Sequence, residues 1–370
     1  MSSVPTVPPL VDEIAAPAAK SRGFWAEAWL RFRRRKLAMT ALLFVGFLAM
    51  VGIFAPAIVG TKPLVCKYKG KIYFPALGYF VSDWENAYLR TQVRLIYPLN
   101  LHAKDPDSWA IYPLVYQDPF RRVKDNEWGT RPGNPSGAEG SPDRQNFFGT
   151  TDSGFDVFAI MVHATRTAML VGFVSMGIAG FIGIVLGSLA GYFRGPVDSV
   201  ISRIIEVVLC IPTLVLILAL VSVLERPTIW HTMAIIGCTR WTSIARLARA
   251  EFLKLRESEF VMSARALGVR SGRIIFRHVL PNALAPILVP ITFGIADAIL
   301  IESALSYLGF GPPPPNPSWG DLLSQGRANM QMWWLILFPG LAIFLTVLAY
   351  NLIGEGLQEA TDPRLREAAK

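Results

Sequence analysis

The chain is expected to be an all-α polytopic membrane protein of about six transmembrane helices with a large insert outside the bilayer, and three observations predict it. Apolar types make up 52% of the residues and charged types 17%, and the mean hydropathy is +0.39, a balance that soluble domains rarely reach. The apolar residues gather in runs of roughly 20, the length a helix needs to cross a hydrocarbon core while satisfying its own backbone. Lys and Arg are segregated into stretches beside those runs.

The spans are expected near 37–59, 166–190, 201–224, 228–245, 282–302 and 334–354. The fourth is the shortest and most polar, because "TIWHTMAIIGCTRWTSIA" carries His231 and Arg240; it must tilt to borrow length or be shielded by neighbouring helices. In the second, Gly183, Gly187 and Gly191 repeat every four residues after Gly177 and Gly180. Such a face admits a close helix, either of this subunit or of a second chain. Pro212 removes one helical hydrogen bond in the third span and predicts a bend there, as a static kink or a hinge. Arg203 and Glu206, three apart, are expected to form a local ion pair.

Orientation follows from short loops. Residues 20–36 hold Lys20, Arg22, Arg31, Arg33, Arg34, Arg35 and Lys36, and residues 246–281 hold eight basic residues, whereas 303–333 holds only Arg327 and 222–230 only Arg226. Both termini and the 246–281 loop are therefore expected in the cytoplasm. The organisation reads as a cytoplasmic segment 1–36, a first helix 37–59, an extracytoplasmic insert 60–165, a membrane core 166–354 and a cytoplasmic tail 355–370. The first apolar run is too long for a signal-peptide core and is expected to stay as an anchor. The net charge of +9 expresses this topological bias. The basic residues sit beside spans without interleaved aromatic stacking platforms, so nucleic acid is not an expected partner.

The insert is dense in aromatics from 64 to 128, including Tyr68, Tyr73, Phe74, Tyr79, Trp84, Trp109 and Trp128, so an ordered subdomain is expected. The following "RPGNPSGAEGSPDRQ" reads as a flexible segment. Cys210 and Cys238 fall within spans and Cys66 outside, which leaves no plausible disulfide. No G-x-x-x-x-G-K-[ST] loop, H-E-x-x-H pair or G-x-S-x-G elbow occurs, so the chain is not expected to be an enzyme or to bind a cofactor itself.

The stretch that carries the mechanism is 246–281. "AEFLKLRESEFVMSARAL" is helix-prone, with Phe252, Leu255, Phe260, Val261, Ala264 and Leu267 spaced to share one side. Gly268 breaks it, Ser271 is placed to cap a second short helix, and Pro281 suits the first turn of the next span. A basic amphipathic helix pair beside a bilayer can be an interfacial element on anionic lipid or a docking handle for a partner.

"SARALGVRSGRIIFRHVLP" resembles the EAA loop of ATP-binding-cassette importer permeases, through Ser263, Ala264, Gly268, Leu280 and Pro281. Met262 stands where that family has a glutamate and His278 where it has an apolar residue. "NFFGTTDSGFDVFAIMVHATRTAMLVG" is similar to the family's entry into its second span at Gly149, Thr150, Gly154, Asp156, Val157, Arg166 and Thr167, with Thr151 and Phe155 in place of Asp and Arg. "ESALSYLGFGPPPPNPSWGDLLSQG" and "IGEGLQEATDPRLR" are similar to the DppC/OppC branch, and "DPDSWAIYPLVY" to its long-loop Yej-type members.

The resemblance implies a type I ABC importer permease fold in a bacterial inner membrane and a peptide or oligopeptide cargo. It implies as partners a related second permease subunit, ATPase subunits or a fused tandem ATPase that bind ATP and Mg, and a periplasmic substrate-binding protein. It makes Ser263, Ala264, Gly268, Leu280 and Pro281 the ATPase-coupling residues. The "LGFGPPPPNPSWG" loop, with Gly311, Pro312, Pro313 and Trp319, is either a binding-protein dock at the mouth of the path or a rigid cap between spans. Asp297 and Glu302 are candidates for the substrate path, Asp297 alternatively for a packed helix–helix bond and Glu302 for an interfacial position.

Overall fold

The computed structural model describes residues 24–79, 105–123, 140–142, 146–225, 227–313 and 316–361. A short amphipathic helix, α1 (Phe24–Arg34), is followed after Arg35 by α2 (Lys36–Ile53). The first span is shorter than expected. The helix stops at Phe54 and restarts as α3 (Ala55–Ile58), because Pro56 has no amide to continue the ladder but fits a first turn.

The insert departs from the all-α rule locally. β1 (Val65–Tyr68) pairs antiparallel with β2 (Lys71–Tyr73) and β3 (Trp109–Ile111) in the order β2-β1-β3, with Cys66 opposite both Tyr73 and Ala110. Tyr68 and Cys66 turn inward and are buried, whereas Trp109 is exposed. Trp84 and Trp128 lie outside the described residues, as does most of the expected flexible segment.

The second span, α4, runs Val157–Phe193 and begins well before residue 166, because Asp156 caps it by accepting from the Ala159 amide at 2.7 Å. The third is broken. α5 (Gly195–Leu209) and α6 (Thr213–Ser222) meet at 83°, and Pro212 sits at the break with a non-helical ψ of 121°. α7 (Ile229–Arg256) carries the fourth span about eleven residues past its expected end, at its rise of about 42 Å for such a length. The first part of the expected 246–281 loop therefore belongs to this helix.

After α7 come α8 (Glu259–Ala266) and α9 (Ser271–Ile274), and α9 passes through a π-helical turn, Ile275–Val279, directly into α10 (Leu280–Tyr307). Outside the membrane, α11 (Trp319–Ala328), capped by Ser318, begins at the last two residues of the stretch expected to be a stiff loop. α12 (Trp334–Thr361) closes the bundle. Among the described residues, four helices have the length and hydropathy to cross a bilayer: α2, α4, the continuous α9–α10 and α12; the bent α5–α6 pair makes a fifth.

α7 is long enough but more polar, and it is shielded by neighbouring helices. Met233, Ile236, Ile244, Ala245, Ala248 and Phe252 are buried in the common core. The glycine face of α4 receives them: a β-carbon at Gly187 would stand 2.5 Å from the Ala245 carbonyl oxygen, and one at Gly191 2.6 Å from that of Arg249. Of the two readings of that face, packing within the subunit is the one realised at these positions.

Candidate functional site

The hairpin between α7 and α10 starts from a helix break. α7 ends at Glu257, and Ser258, with an extended ψ of 149°, opens α8 in a new direction. The reset overturns the expected single amphipathic face. Phe252, Val261 and Ala264 do point inward and are buried, together with Ile274, Ile275 and Val279. Phe260 and Leu267 point outward instead.

The turn is a Schellman closure. The Gly268 amide donates to the Arg265 carbonyl at 3.0 Å and the Val269 amide to that of Ala264 at 3.1 Å, while Gly268 takes a φ of +75°. Nothing stands within 4 Å of where its β-carbon would be. Backbone conformation is therefore what requires glycine there. Ser271 does not cap α9; Arg270 is the capping residue, and Ser271 is already in the first turn. Pro281 lies in the first turn of α10 as expected.

Of the coupling residues read from sequence, Ser263, Gly268 and Pro281 are exposed, Leu280 is half-buried, and Ala264 is buried within the chain. The outward surface consists instead of Phe260, Met262, Leu267 at 83% exposure and Phe276 at 71%. Arg265, Arg270, Arg273 and Arg277 of the same hairpin are also exposed. Met262 and Phe276 were missed, although an apolar residue at the family's glutamate position was a signal for the former.

The hairpin is braced onto the bundle. Arg194 pairs with Glu257 at 2.8 Å, Arg256 donates to the Tyr192 carbonyl, and the Arg256 and Arg265 guanidinium groups lie 5.8 and 5.9 Å from the Tyr192 ring. Arg249 grips Asp198 of α5 with two bonds, one at 2.7 Å from Nη2 to Oδ2. Arg203 and Glu206 pair at 2.8 Å on the exposed side of α5, as their spacing predicted.

Between the helices, Arg240 of α7 pairs with Asp297 of α10, which remains 51% exposed. Glu302 is buried, and its Oε1 accepts from Ser306 Oγ at 2.7 Å.

On the opposite end, the proline loop, α11 and the insert enclose a cleft of about 440 Å³ lined by Pro119, Phe120, Phe155, Gly311, Pro312, Pro313 and Asp321 among others. Trp319 is not part of its wall: the indole is buried and donates to the Met161 carbonyl at 3.2 Å, anchoring α11 on α4. Asp321 opens to the cleft, accepts from Gln325 Nε2 at 2.9 Å, and is held above the ordinary carboxyl range by partial burial.

The insert is locked to the spans by a buried polar knot. Thr61 Oγ1 and the Tyr79 hydroxyl both donate to Asp118 Oδ2, at 2.6 and 2.8 Å. The Tyr79 ring packs on His163 of α4 at 4.9 Å, and His163 Nε2 lies 2.9 Å from the Val59 carbonyl. Burial first, and the Asp118 charge second, push the Tyr79 hydroxyl well above its usual range. Burial alone pushes the Cys66 thiol up to about 11.

The helical bundle thus carries a hairpin at one end and an insert-lined cleft at the other. Residues 183–367 match the family described as binding-protein-dependent transport system inner membrane component, and residues 23–69 match the N-terminal TM domain of oligopeptide transport permease C. The chain belongs to this permease family. It is 35% identical to the inner membrane ABC transporter permease protein YejE of Escherichia coli, over 90% of this chain and 96% of that one. It is 42% identical to the dipeptide transport system permease protein DppC of Alkalihalophilus pseudofirmus, over 63% and 77%. It is 28% identical to the oligopeptide transport system permease protein OppC of Bacillus subtilis, over 94% and 92%.

Proposed function

We propose that this chain is the transmembrane permease subunit of an ATP-driven importer of peptides or oligopeptides, forming half of a translocation path and taking its energy from partners. The observation that carries the reading is the hairpin around Gly268. It presents Phe260, Met262, Leu267 and Phe276 together with exposed arginines, and its base at Glu257 is paired with Arg194. Phe, Met and Arg are side chains enriched at protein interfaces. The partner is an ATPase that binds ATP and Mg, as two chains or one fused chain, and its closure moves the hairpin as a lever.

The remaining assignments follow from position. The distribution of Lys and Arg supports both termini and the hairpin in the cytoplasm of a bacterial inner membrane. A half-exposed ion pair between spans is costly against lipid, which supports Arg240 and Asp297 facing the path or the related second permease. Glu302, being enclosed, serves packing. At the outer end Gly311, Pro312 and Pro313 form the rim that meets a periplasmic binding protein, and Trp319 holds that rim in place. Since the glycine stripe of α4 is filled by α7, the second permease must use another face.

The test is purification of the native complex with identification of its chains and trapped ligand. An ATPase, a second permease and a bound peptide are expected; an active transporter with this permease as its sole membrane chain type contradicts the heterodimer, and a non-peptide ligand contradicts the cargo.

A further inference from the structure

α1 has chemistry that the permease reading does not use. Its Ala28 and Phe32 are buried, and Phe32 packs beside Gly356 near the end of α12. The adjoining face is exposed: Trp25 and Trp29 are 46% and 51% accessible, Trp29 stacking on Phe32, and Leu30 follows further round the helix. Trp25, Trp29 and Arg33 follow at four-residue intervals and so share one stripe. Arg33 and Arg34 are exposed and, with Lys36, make no ion pair among the described residues.

The height of this surface relative to the membrane is fixed by the chain. Only Arg35 separates α1 from α2, whose Leu37, Leu43, Phe47 and Met50 are broadly exposed as lipid-facing residues are. Arg35 pairs with Glu359 of α12, and Phe32, Ala38 and Ala360 form a small core, so the α1–α2 junction is pinned to the end of another span. A helix of 11 residues, about 16 Å long, that starts at that level and lies along the surface would place its indoles where indoles partition and its guanidinium groups where phosphates lie.

We propose that α1 is an interfacial helix whose Trp25, Trp29 and Leu30 enter the membrane surface while Arg33 and Arg34 bind the headgroups of anionic phospholipids. Lipid is favoured over a protein occupant because only Arg35 separates α1 from the span α2, and Arg33, Arg34 and Lys36 at that junction make no ion pair among the described residues. The site is independent of the cargo and of the ATPase contact. Because α1 is clasped to α12, headgroup binding also fixes the end of that span.

The experiment uses the full transporter, with all its native chains, in nanodiscs of phosphatidylcholine alone or mixed with phosphatidylglycerol. A spin label at Leu30→Cys, with Cys66, Cys210 and Cys238 replaced by alanine, reports depth by collision with oxygen and with a nickel chelate. A headgroup-level depth supports the proposal. A label in bulk water, or one shielded from both reagents by the ATPase or by the preceding segment of the chain, overturns it. Native mass spectrometry of phosphatidylglycerol retained on the otherwise unaltered permease supplies the second arm. Arg33→Gln and Arg34→Gln are each expected to weaken retention about fivefold, the effect of one basic residue at an anionic surface; retention unchanged by both contradicts the headgroup site.

Discussion

The Val269 amide reaches back over Gly268 to the Ala264 carbonyl at 3.1 Å, so the residue that closes the hairpin turn is bonded to a residue buried in the bundle. The exposed end of the hairpin is therefore not an independent loop. Leu267 is thereby joined through the turn to the packed side of α8.

Gly268→Ala is expected to destabilise this turn by about 1–2 kcal/mol, the cost of placing a β-carbon in the left-handed region, since open space around it excludes a clash. Gly268→Pro also forbids the +75° φ and removes the amide that donates to Arg265. Both variants should insert normally and lower ATP-driven uptake, Pro more than Ala. Uptake at matched membrane abundance measures the effect.

The packing of α4 on α7 gives a contrast between two glycines. Gly187→Ala should cost about 1–3 kcal/mol through overpacking against Ala245 and Ala248, while Gly177→Ala, with nothing within 4 Å, should be close to neutral in this chain. Thermal unfolding of the purified permease in detergent separates them.

How much of this was legible in the sequence depends on range. The apolar runs, the Pro212 break, the Arg203–Glu206 pair and the Gly268 turn are local, and each could be read from residues within one or two turns. The break at Glu257 and Ser258 was not foreseen because "LRESEF" is helix-prone throughout, and that break rotates Phe260 and Leu267 to the opposite face. α11 lay behind four prolines that dominated the reading, although Ser318 and Asp321 are an ordinary helix start. The Arg240–Asp297 pair and the Trp319 bond to Met161 join residues far apart in sequence, and only the packing of spans reveals them.

Removing one partner of the Arg240–Asp297 pair is expected to cost on the order of 1 kcal/mol, between the values for exposed and buried pairs, because Asp297 is half exposed. Arg240→Gln and Asp297→Asn should each reduce stability or uptake, and the double variant should recover part of the loss. A double-mutant cycle with full additivity would rule out coupling between them.

The insert is expected to hold Cys66 out of reach of maleimide near neutral pH, since the thiol is buried and its ionisation pushed up to about 11. Tyr79→Phe leaves Asp118 with one hydroxyl donor fewer and should cost about 1–3 kcal/mol, raising the Cys66 labelling rate once Cys210 and Cys238 are replaced.

The same knot has a definite pH sign. Tyr79 has its hydroxyl ionisation raised on folding, so its contribution is complete below the ordinary tyrosine value of about 10 and is lost as the pH rises beyond it. Limited proteolysis of the insert in reconstituted protein should therefore accelerate on the alkaline side of that value and not between neutrality and it. Tyr79→Phe should flatten the dependence.

The central claim is that the surface of Phe260, Met262, Leu267 and Phe276 seats an ATP-binding subunit, and site-directed cross-linking across 258–279 tests it most directly. Single cysteines in a chain lacking Cys66, Cys210 and Cys238, co-expressed with the ATPase carrying cysteines in its candidate groove, should cross-link at Leu267 and Phe276 and fail at Val261 and Ala264, which are turned into the bundle. Absence of cross-links over the whole scan, or equal yields at Leu267 and Ala264, would contradict it.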